Sequence, residues 1–295
     1  MNIGALKGLH RNHILPPLMV VFVTAVLLLV YSLWVSRQQT IQAAETTVRN
    51  LAWLTEARWS ASLDRARASL DSLSGKVRPE AMQQANLHRY EQYLNAELAI
   101  EGKSFPEVKA FHVLAADGSL LYTSSVDDPW RFNMAEAPRF RRLREDPRLE
   151  IAYSGLMKHG ADEVASFMVL LPLRAGNGVF LGALAAQIDL AYFERLLSSL
   201  DVGTRGFLAI WRSDDFSLVL RRPPLPNDMA RTLPADHPVR SAIASGLRDG
   251  VVKSSAYSDG LPRILGVRVL ADAPFYVVAG LAEDEVLASW RTKRL

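Results

Sequence analysis

The sequence contains no cysteine, which excludes a disulfide-stabilised scaffold, thiolate catalysis and any zinc or iron–sulfur site with cysteine ligands. It also has little excess charge of either sign. The 34 lysines and arginines face 31 aspartates and glutamates, so the net charge of +3 gives no basis for nucleic-acid binding. With 49% hydrophobic and 22% charged residues, the composition is that of a globular protein, and 295 residues correspond to one large domain or two ordinary ones.

The polar residues form no recognised catalytic or metal-binding pattern. There is no Gly-x-Ser-x-Gly nucleophile elbow, and the glycines at 176, 178 and 182 have the wrong spacing for a phosphate loop. A metal site would need histidines that are scattered along the chain to converge by chance. The sequence therefore predicts no cofactor, no metal site and no catalytic residues. The histidines are His10, His13, His88, His112, His159 and His237.

The longest uncharged segment, residues 14–36, is apolar and long enough to cross the roughly 30 Å hydrocarbon layer of a bilayer as a helix. Tyr31 and Trp34 lie near one end, where amphipathic rings favour the headgroup region. A buried core helix rarely tolerates so long an uncharged segment, and the apolar region of a cleaved signal peptide is shorter. Lys7 and Arg11 precede the segment without any acidic residue, so the positive-inside bias predicts a cytoplasmic tail at 1–13 and export of the rest.

Residues 37–78 are predicted to continue this helix as a stalk outside the membrane, because few helix-breaking residues interrupt them. Their apolar side chains form two stripes at helical spacing, and the second stripe is out of phase with the first by about one residue. Two interpretations stay open: the stripes pack on the chain's own domain, or they pair with a second copy of the chain. The stripes comprise Ile41, Ala44, Val48 and Leu51, and then Trp59, Leu63, Ala66, Leu70, Leu73 and Val77.

Beyond the stalk the sequence predicts a helix at 79–99 and then the same series of elements twice, over 107–200 and 206–293. Each series has a hairpin, a short helix, three antiparallel strands and an exit helix, and Asn-Gly and Asp-Gly pairs mark turns between strands. The strand–helix alternation of a parallel sheet does not occur, so the predicted fold class is α+β with antiparallel sheets. The predicted strands are 107–114, 120–124, 149–156, 164–173 and 179–188 in the first series and 206–212, 216–221, 251–257, 262–270 and 275–281 in the second. The short predicted helices lie at 138–144, 190–200 and 238–245 and from 283 onward.

This order of elements and four sequence segments resemble the double Cache sensor region of bacterial membrane receptors, which consists of two tandem PAS-like units. The resemblance covers about 38–295, and it is greatest to the sensor regions of diguanylate cyclases with a GGDEF output. Chemoreceptors and histidine kinases carry similar modules. The resemblance implies a membrane-distal Cache unit at 79–200 and a membrane-proximal one at 201–295. The four segments are 178–193 (GVFLGALAAQIDLAYF), 216–224 (FSLVLRRPP), 259–263 (DGLPR) and 286–291 (VLASWR).

The resemblance also implies a role, that of the ligand-sensing region of a receptor in the bacterial inner membrane with its bulk in the periplasm. The family would bind a small molecule in the distal unit, form a homodimer through the stalk helix and signal to a cytoplasmic output beyond residue 295, with a diguanylate cyclase as the first candidate. No nucleic acid is expected as a partner. A membrane-tethered periplasmic enzyme and a scaffold without an output are the alternatives.

The candidate binding residues follow from the family's amino-acid motif. Many members hold the ligand carboxylate with an arginine two residues before a tryptophan, and its ammonium with an aspartate on a late strand. Here Asp128 stands at the arginine position and Gln187 at the aspartate position, with Asp189 two residues on, so the resemblance argues against amino-acid binding by that motif. For the aromatic candidates core packing is the alternative, and for the arginines a solvated face. The candidates are Trp130, Arg131, Arg139, Tyr153 and Gln187, with the two arginines as anion partners.

Overall fold

The computed structural model describes residues 15–125, 132–157, 165–224, 231–255 and 260–292. Its longest element is helix α1, Leu15–Ser74, which joins the predicted membrane segment and the stalk in one helix of 60 residues. The first part of α1 carries many large apolar side chains that are exposed, from Leu18 to Trp34. By length and composition, this part of the helix is suited to cross a membrane.

The second part of α1 packs on both sheets of its own chain. Its buried side chains form one stripe, which Ala52 and Thr55 make continuous between the two predicted stripes. A Cβ atom added at Gly266 would lie 2.3 Å from the Val48 carbonyl oxygen, so glycine is needed where helix and sheet approach each other. The apolar face of the stalk is therefore covered by the chain's own domain, as in the first of the two interpretations.

Two five-stranded antiparallel sheets follow the stalk, one in each unit. The distal strands are β1 (Val108–Ala115), β2 (Leu120–Thr123), β3 (Ala152–Tyr153), β4 (Ser166–Arg174) and β5 (Phe180–Asp189). The proximal strands are β6 (Phe207–Arg212), β7 (Leu218–Arg222), β8 (Asp249–Ser254), β9 (Arg263–Val269) and β10 (Phe275–Ala282). The strand order is β2-β1-β5-β4-β3 in the first sheet and β7-β6-β10-β9-β8 in the second, so the second unit repeats the topology of the first. The predicted fold class, α+β with two tandem antiparallel units, is confirmed.

Each sheet lies between two helical layers. One face, here called the stalk face, packs on α1, and a short helix covers the opposite, outer face. The five further helices are α2 (Leu87–Gly102), α3 (Pro138–Glu145), α4 (Leu190–Ser198), α5 (Pro238–Ala244) and α6 (Glu283–Thr292). Helix α3 covers the distal outer face through Phe140 and Leu143, and α5 covers the proximal one through Val239 and Ile243.

The two units and the stalk share one core, whose centre is a group of aromatic rings here called the junction cluster. Trp59 of α1 contacts Phe193 and Phe167 of the distal unit, with ring centroids 4.5 and 5.7 Å apart. It also contacts Phe275 of the proximal unit at 5.6 Å, and Phe275 in turn contacts Tyr153 of β3 at 5.3 Å. The units therefore pack on each other as well as on α1.

The predicted helix at 79–99 begins later than expected. Residues Pro79–Met82 and Gln84–Asn86 form short 3₁₀ turns, and the α-helix starts at Leu87. The buried Tyr122 hydroxyl donates to the Ala81 carbonyl oxygen at 2.7 Å, which directs that carbonyl to the distal sheet instead of along a helix. Tertiary contacts thus override the helical pattern of this segment.

The predicted strand at 149–156 is much shorter in the structure. Only Ala152 and Tyr153 pair with β4 as a strand, and Met157 adds an isolated bridge to Ser166. Between them the Ser154 hydroxyl donates to the Gly155 carbonyl oxygen and accepts from the Met168 N–H, so a side chain replaces part of the strand ladder.

Candidate functional site

Three polar side chains meet on the outer face of the distal sheet and are here called the distal polar cluster. They are His112 of β1, Ser166 of β4 and Gln187 of β5, and all three are buried. His112 Nε2 lies 3.2 Å from Gln187 Oε1, and Gln187 Nε2 donates to Ser166 Oγ at 2.8 Å. Because side chains alternate along a strand, the cluster lies on the same face as Ala183 and Ala185, away from α1.

The hydrogen bonds of the cluster determine the state of the His112 ring. Since Gln187 donates its amide hydrogen to Ser166, its Oε1 faces His112 as an acceptor, and the ring donates from Nε2. Nδ1 of the neutral ring is then an acceptor, and it is buried without a hydrogen-bond partner among the described residues. Burial, only partly offset by the hydrogen bond with Gln187, lowers the pKa of His112 from 6.5 to about 4, so the ring is neutral at neutral pH.

This cluster has the chemistry of a binding site for a hydrogen-bond donor. An unsatisfied buried acceptor costs about 1–3 kcal/mol, which a ligand hydroxyl, amide N–H or ammonium placed at Nδ1 would relieve. The Phe132 ring meets the His112 ring edge to face at 5.2 Å and forms an apolar wall beside it. Within the described ranges, no group of three or more histidine, aspartate or glutamate side chains is placed to hold a metal ion.

The corresponding face of the proximal sheet is filled differently. At the β6–β10 pairing, Trp211 lies opposite Tyr276 and the two rings stack at 6.4 Å, whereas at the matching distal pairing Leu114 lies opposite Ala183. Large aromatic side chains thus occupy the proximal face where the distal face has aliphatic ones. At the pairing that matches His112 and Ala185, the proximal sheet has the apolar residues Ala209 and Val278. Buried Arg221 lies over the Phe207 ring at 4.6 Å and adds to this packing.

The three predicted binding residues that the structure describes, Arg139, Tyr153 and Gln187, do not lie together. Gln187 belongs to the distal polar cluster, whereas Tyr153 lies on the stalk face in the junction cluster and Arg139 faces the proximal unit. Strand β3 presents Ala152 to the outer face, and strand alternation therefore turns Tyr153 inward. Trp130 and Arg131 lie outside the described residues.

Asp189 and Arg139 are both engaged by other groups of the chain. The Asp189 side chain accepts from the Ala191 N–H at 3.0 Å and caps the N-terminus of α4, which gives it a structural role. Arg139 of α3 forms ion pairs with Asp214, at 3.2 Å, and with Asp215, both in the turn between β6 and β7. It thus differs from an arginine on a fully solvated helix face.

A second concave region, here called the interunit cleft, lies between α3 and β3 of the distal unit and the β6–β7 and β9–β10 turns of the proximal unit. Its volume is about 500 Å³. At one side the buried Arg212 donates to the Ser154 carbonyl oxygen at 3.0 Å and to both carboxylate oxygens of Asp214 at 2.9 Å. Burial would raise the pKa of Asp214, but the guanidinium groups of Arg212 and Arg139 hold it below its usual value. This ionised pair links the two units, because Arg212 donates to Ser154 and Asp214 pairs with Arg139, both of the distal unit.

Sequence reasoning missed His112 and Ser166. Both were passed over because a histidine and a serine with no catalytic spacing carry no signal by themselves. The pairing of β1 with β5 and of β5 with β4 places these residues beside Gln187, across 75 and 21 positions of the chain. The available signal was the position of His112 in the otherwise apolar residues 110–115 of β1, one residue from the Phe111 and Val113 side chains on the opposite face.

Comparison with solved structures supports the assignment of the fold. The extracellular domain of the putative histidine kinase rpHK1S-Z16 matches with a TM-score of 0.70 and 23% identity over 85% of this chain and 99% of that one. The periplasmic sensory domain of the Campylobacter jejuni chemoreceptor Tlp1 matches with a TM-score of 0.66 and 10% identity over 84% and 98% of the two chains.

A third similar structure was solved with a ligand, the ligand-binding domain of the Pseudomonas aeruginosa PAO1 amino acid chemoreceptor PctB in complex with L-Gln. It has a TM-score of 0.59 and 15% identity over 83% of this chain and 93% of that one. No protein-family model and no curated protein matches the sequence. The chain therefore has the tandem Cache fold of the extracytoplasmic sensor domains of bacterial histidine kinases and chemoreceptors.

Proposed function

We propose that the chain is the extracytoplasmic sensing region of a bacterial transmembrane receptor and that it binds a small molecule at the distal polar cluster. The observation that carries the proposal is the buried Nδ1 of His112, an acceptor aimed into the outer face without a partner among the described residues. A buried polar atom of this kind is unusual unless a water or a ligand satisfies it. The fold likeness to sensor domains supports the same conclusion.

The cluster favours a ligand with a hydrogen-bond donor and no obligatory charge. Gln187, which stands where the family has an aspartate for the ammonium, is a neutral amide engaged with His112 and Ser166. Because a neutral acceptor does not repay the desolvation of an ammonium as a carboxylate does, a neutral donor is preferred over a zwitterion. Hydroxyl-bearing or amide-bearing metabolites are therefore the first class to test.

The route from this site to the membrane follows α1. Glu107, at the start of β1, is buried and forms an ion pair with Arg65 of α1, and the helix continues without a break to its apolar first part. Helix α6 begins beside the same end of the stalk, with Arg37 Nη2 3.8 Å from Glu283. We therefore place the tail in the cytoplasm and the bulk in the periplasm, with a second span after α6 and a cytoplasmic output, a diguanylate cyclase being the first candidate.

A homodimer through the stalk remains part of the proposal, but it needs another face of the helix. The stripe on α1 is covered by the chain's own sheets. Trp53, on the opposite side of α1, is 54% exposed and is the large apolar side chain around which such a contact would form.

The experiment is a thermal-melting screen of the full chain in lipid nanodiscs. Polyols and nucleosides serve as neutral donors, and L-glutamine, L-asparagine and L-isoleucine serve as zwitterions. A ligand at about 100 times its Kd adds about 2.7 kcal/mol to the stability, which for a domain of this size raises the Tm by roughly 5–11 °C.

Variants then locate the site. His112→Phe keeps a planar ring but removes both nitrogens, and it is expected to abolish the rise in Tm. Trp211→Phe, on the outer face of the proximal sheet, is the control and should leave the rise unchanged. A rise that survives in His112→Phe would place the ligand elsewhere, and the absence of any stabilising probe would favour the scaffold alternative.

A further inference from the structure

The interunit cleft is lined by residues of both units and does not include the distal polar cluster. Arg142, in α3 of the distal unit, lines the cleft, and so does Arg248, which directly precedes β8 of the proximal unit. The cleft volume of about 500 Å³ lies within the range of roughly 300–1,000 Å³ that small-molecule sites occupy. Its size alone therefore permits a metabolite.

The charges around the cleft are unequally satisfied. Arg139 and Arg212 are both ion-paired with Asp214, and the pair with Arg139 joins the distal unit to the proximal unit. Arg142 and Arg248 also line the cleft, but neither forms an ion pair with any described residue. With Asp272 as the other acidic lining residue, arginines outnumber carboxylates around the cleft. The cleft thus presents guanidinium groups whose hydrogen-bond donors are available.

Part of the lining of the cleft is apolar. Leu149 and Ile151 contribute to it from the distal unit, Leu270 contributes from the proximal unit, and the Tyr153 ring lies beside them. A guanidinium group binds carboxylate and phosphate with two parallel hydrogen bonds, and an apolar lining adds affinity for a hydrocarbon or aromatic part. We propose that the interunit cleft binds a small organic anion that carries a carboxylate or phosphate beside an apolar group.

Binding there would act on the packing of the units. Because Arg142 and Arg248 belong to different units, an anion held by both would favour the arrangement in which the two guanidinium groups approach each other. The ligand of the cleft would thus be a modulator distinct from the ligand of the distal polar cluster.

The test is isothermal titration calorimetry of the full chain in nanodiscs of zwitterionic lipid, which contain no anionic headgroup to compete. The probes are phthalate and phenyl phosphate, with neutral benzamide as the uncharged comparison. We expect both anions to bind and benzamide not to bind. Arg142→Gln and Arg248→Gln should each raise the Kd about tenfold, the effect of losing one charge-assisted contact, and the double variant should raise it further.

Two controls make the result specific. Arg141→Gln removes a charge from α3 at the position adjacent to Arg142. Because the Arg141 side chain is exposed and does not line the cleft, this variant should leave the Kd within twofold. Gln187→Ala disrupts the distal polar cluster and should also leave the anion affinity unchanged. An unchanged melting temperature of each unliganded variant establishes that it is folded.

Three results would overturn the proposal. The first is an absence of anion binding to the wild-type chain at millimolar concentration. The second is an equal loss of affinity in Arg141→Gln and Arg142→Gln, which would indicate attraction to net charge alone. The third is loss of anion binding in Gln187→Ala, which would place the anion at the distal polar cluster.

Discussion

Substitution of Trp59 by alanine tests the claim that one side chain joins the stalk and both units. Trp59 is 1% exposed and contacts aromatic rings of α4, β4 and β10. Truncation of a buried tryptophan costs about 3–5 kcal/mol through lost burial and the cavity left behind, and each lost ring pair adds about 0.5–1.5 kcal/mol. We expect a loss of about 5 kcal/mol in the free energy of unfolding, which is a large part of the 5–15 kcal/mol typical of a whole protein.

Trp59→Phe gives a sharper form of the same prediction. The indole Nε1–H of Trp59 is buried without a hydrogen-bond partner among the described residues, so phenylalanine removes an unsatisfied donor while it loses part of the ring. The two effects oppose each other, and we expect a net loss of about 1 kcal/mol or less.

The assay is urea unfolding of the full chain in nanodiscs, followed by circular dichroism at 222 nm, because fluorescence would change with the tryptophan itself. Arg58→Ala, at the adjacent exposed position of the same helix, is the control and should change the stability by less than about 0.5 kcal/mol. Equal losses in Trp59→Ala and Arg58→Ala would refute the account of the junction cluster. A loss in Trp59→Phe as large as that in Trp59→Ala would refute the argument from the unsatisfied donor.

Two other predictions concern charge. Arg65→Met leaves the Glu107 carboxylate, which is 2% exposed, without its partner, and it should lower the free energy of unfolding in urea by about 2–3 kcal/mol. Arg67→Met is the control: its partner Glu150 is 81% exposed, so the loss should be less than about 1 kcal/mol. An equal effect of the two substitutions would contradict the difference in burial. Because the pKa of His112 is lowered in the folded chain, the ring is protonated between about pH 6.5 and 4 in the unfolded chain but not in the folded chain. The free energy of unfolding should therefore decrease by about 3 kcal/mol as the pH falls through that range. The urea midpoint of His112→Phe should depend less on pH there, and curves that run parallel to the wild type would contradict the assignment.

The helices and strands were predictable because their signals are local. Asn177 and Gly178 marked the turn before β5, and the apolar runs predicted as strands at 262–270 and 275–281 matched β9 and β10 closely. The segment at 79–86 was mispredicted because its conformation depends on the hydrogen bond from Tyr122, which is distant in the sequence. The stripes of α1 looked out of phase because the linking positions, Ala52 and Thr55, were not counted, although both are buried.

The candidate site was less predictable because it depends on strand register. Gln187 was identified through a resemblance, but its partners His112 and Ser166 are joined to it only by the pairing of three strands. Tyr153 was expected at the ligand for its residue type, and a one-position difference along β3 places it on the other face. Arg139 was predicted as an anion partner for a ligand, whereas in the structure it pairs with Asp214 and Asp215 of the neighbouring unit, which no local pattern connects to it.

Physical contacts connect the distal polar cluster and the interunit cleft. Whether a ligand at one site changes the affinity of the other site can therefore be measured. Strand β1 carries His112 on its outer face and follows Glu107, which is ion-paired with Arg65 of the stalk. Strand β4 carries Ser166 next to Phe167, and Phe167 belongs to the junction cluster beside the cleft. If a ligand at His112 and an anion between Arg142 and Arg248 favour the same packing of the units, each must raise the affinity of the other by the same factor. If they favour different packings, each must lower it by the same factor. Equal affinities with and without the second ligand would mean that the packing of the units does not change, and the signal would then have to pass through Glu107 and Arg65 to α1 directly.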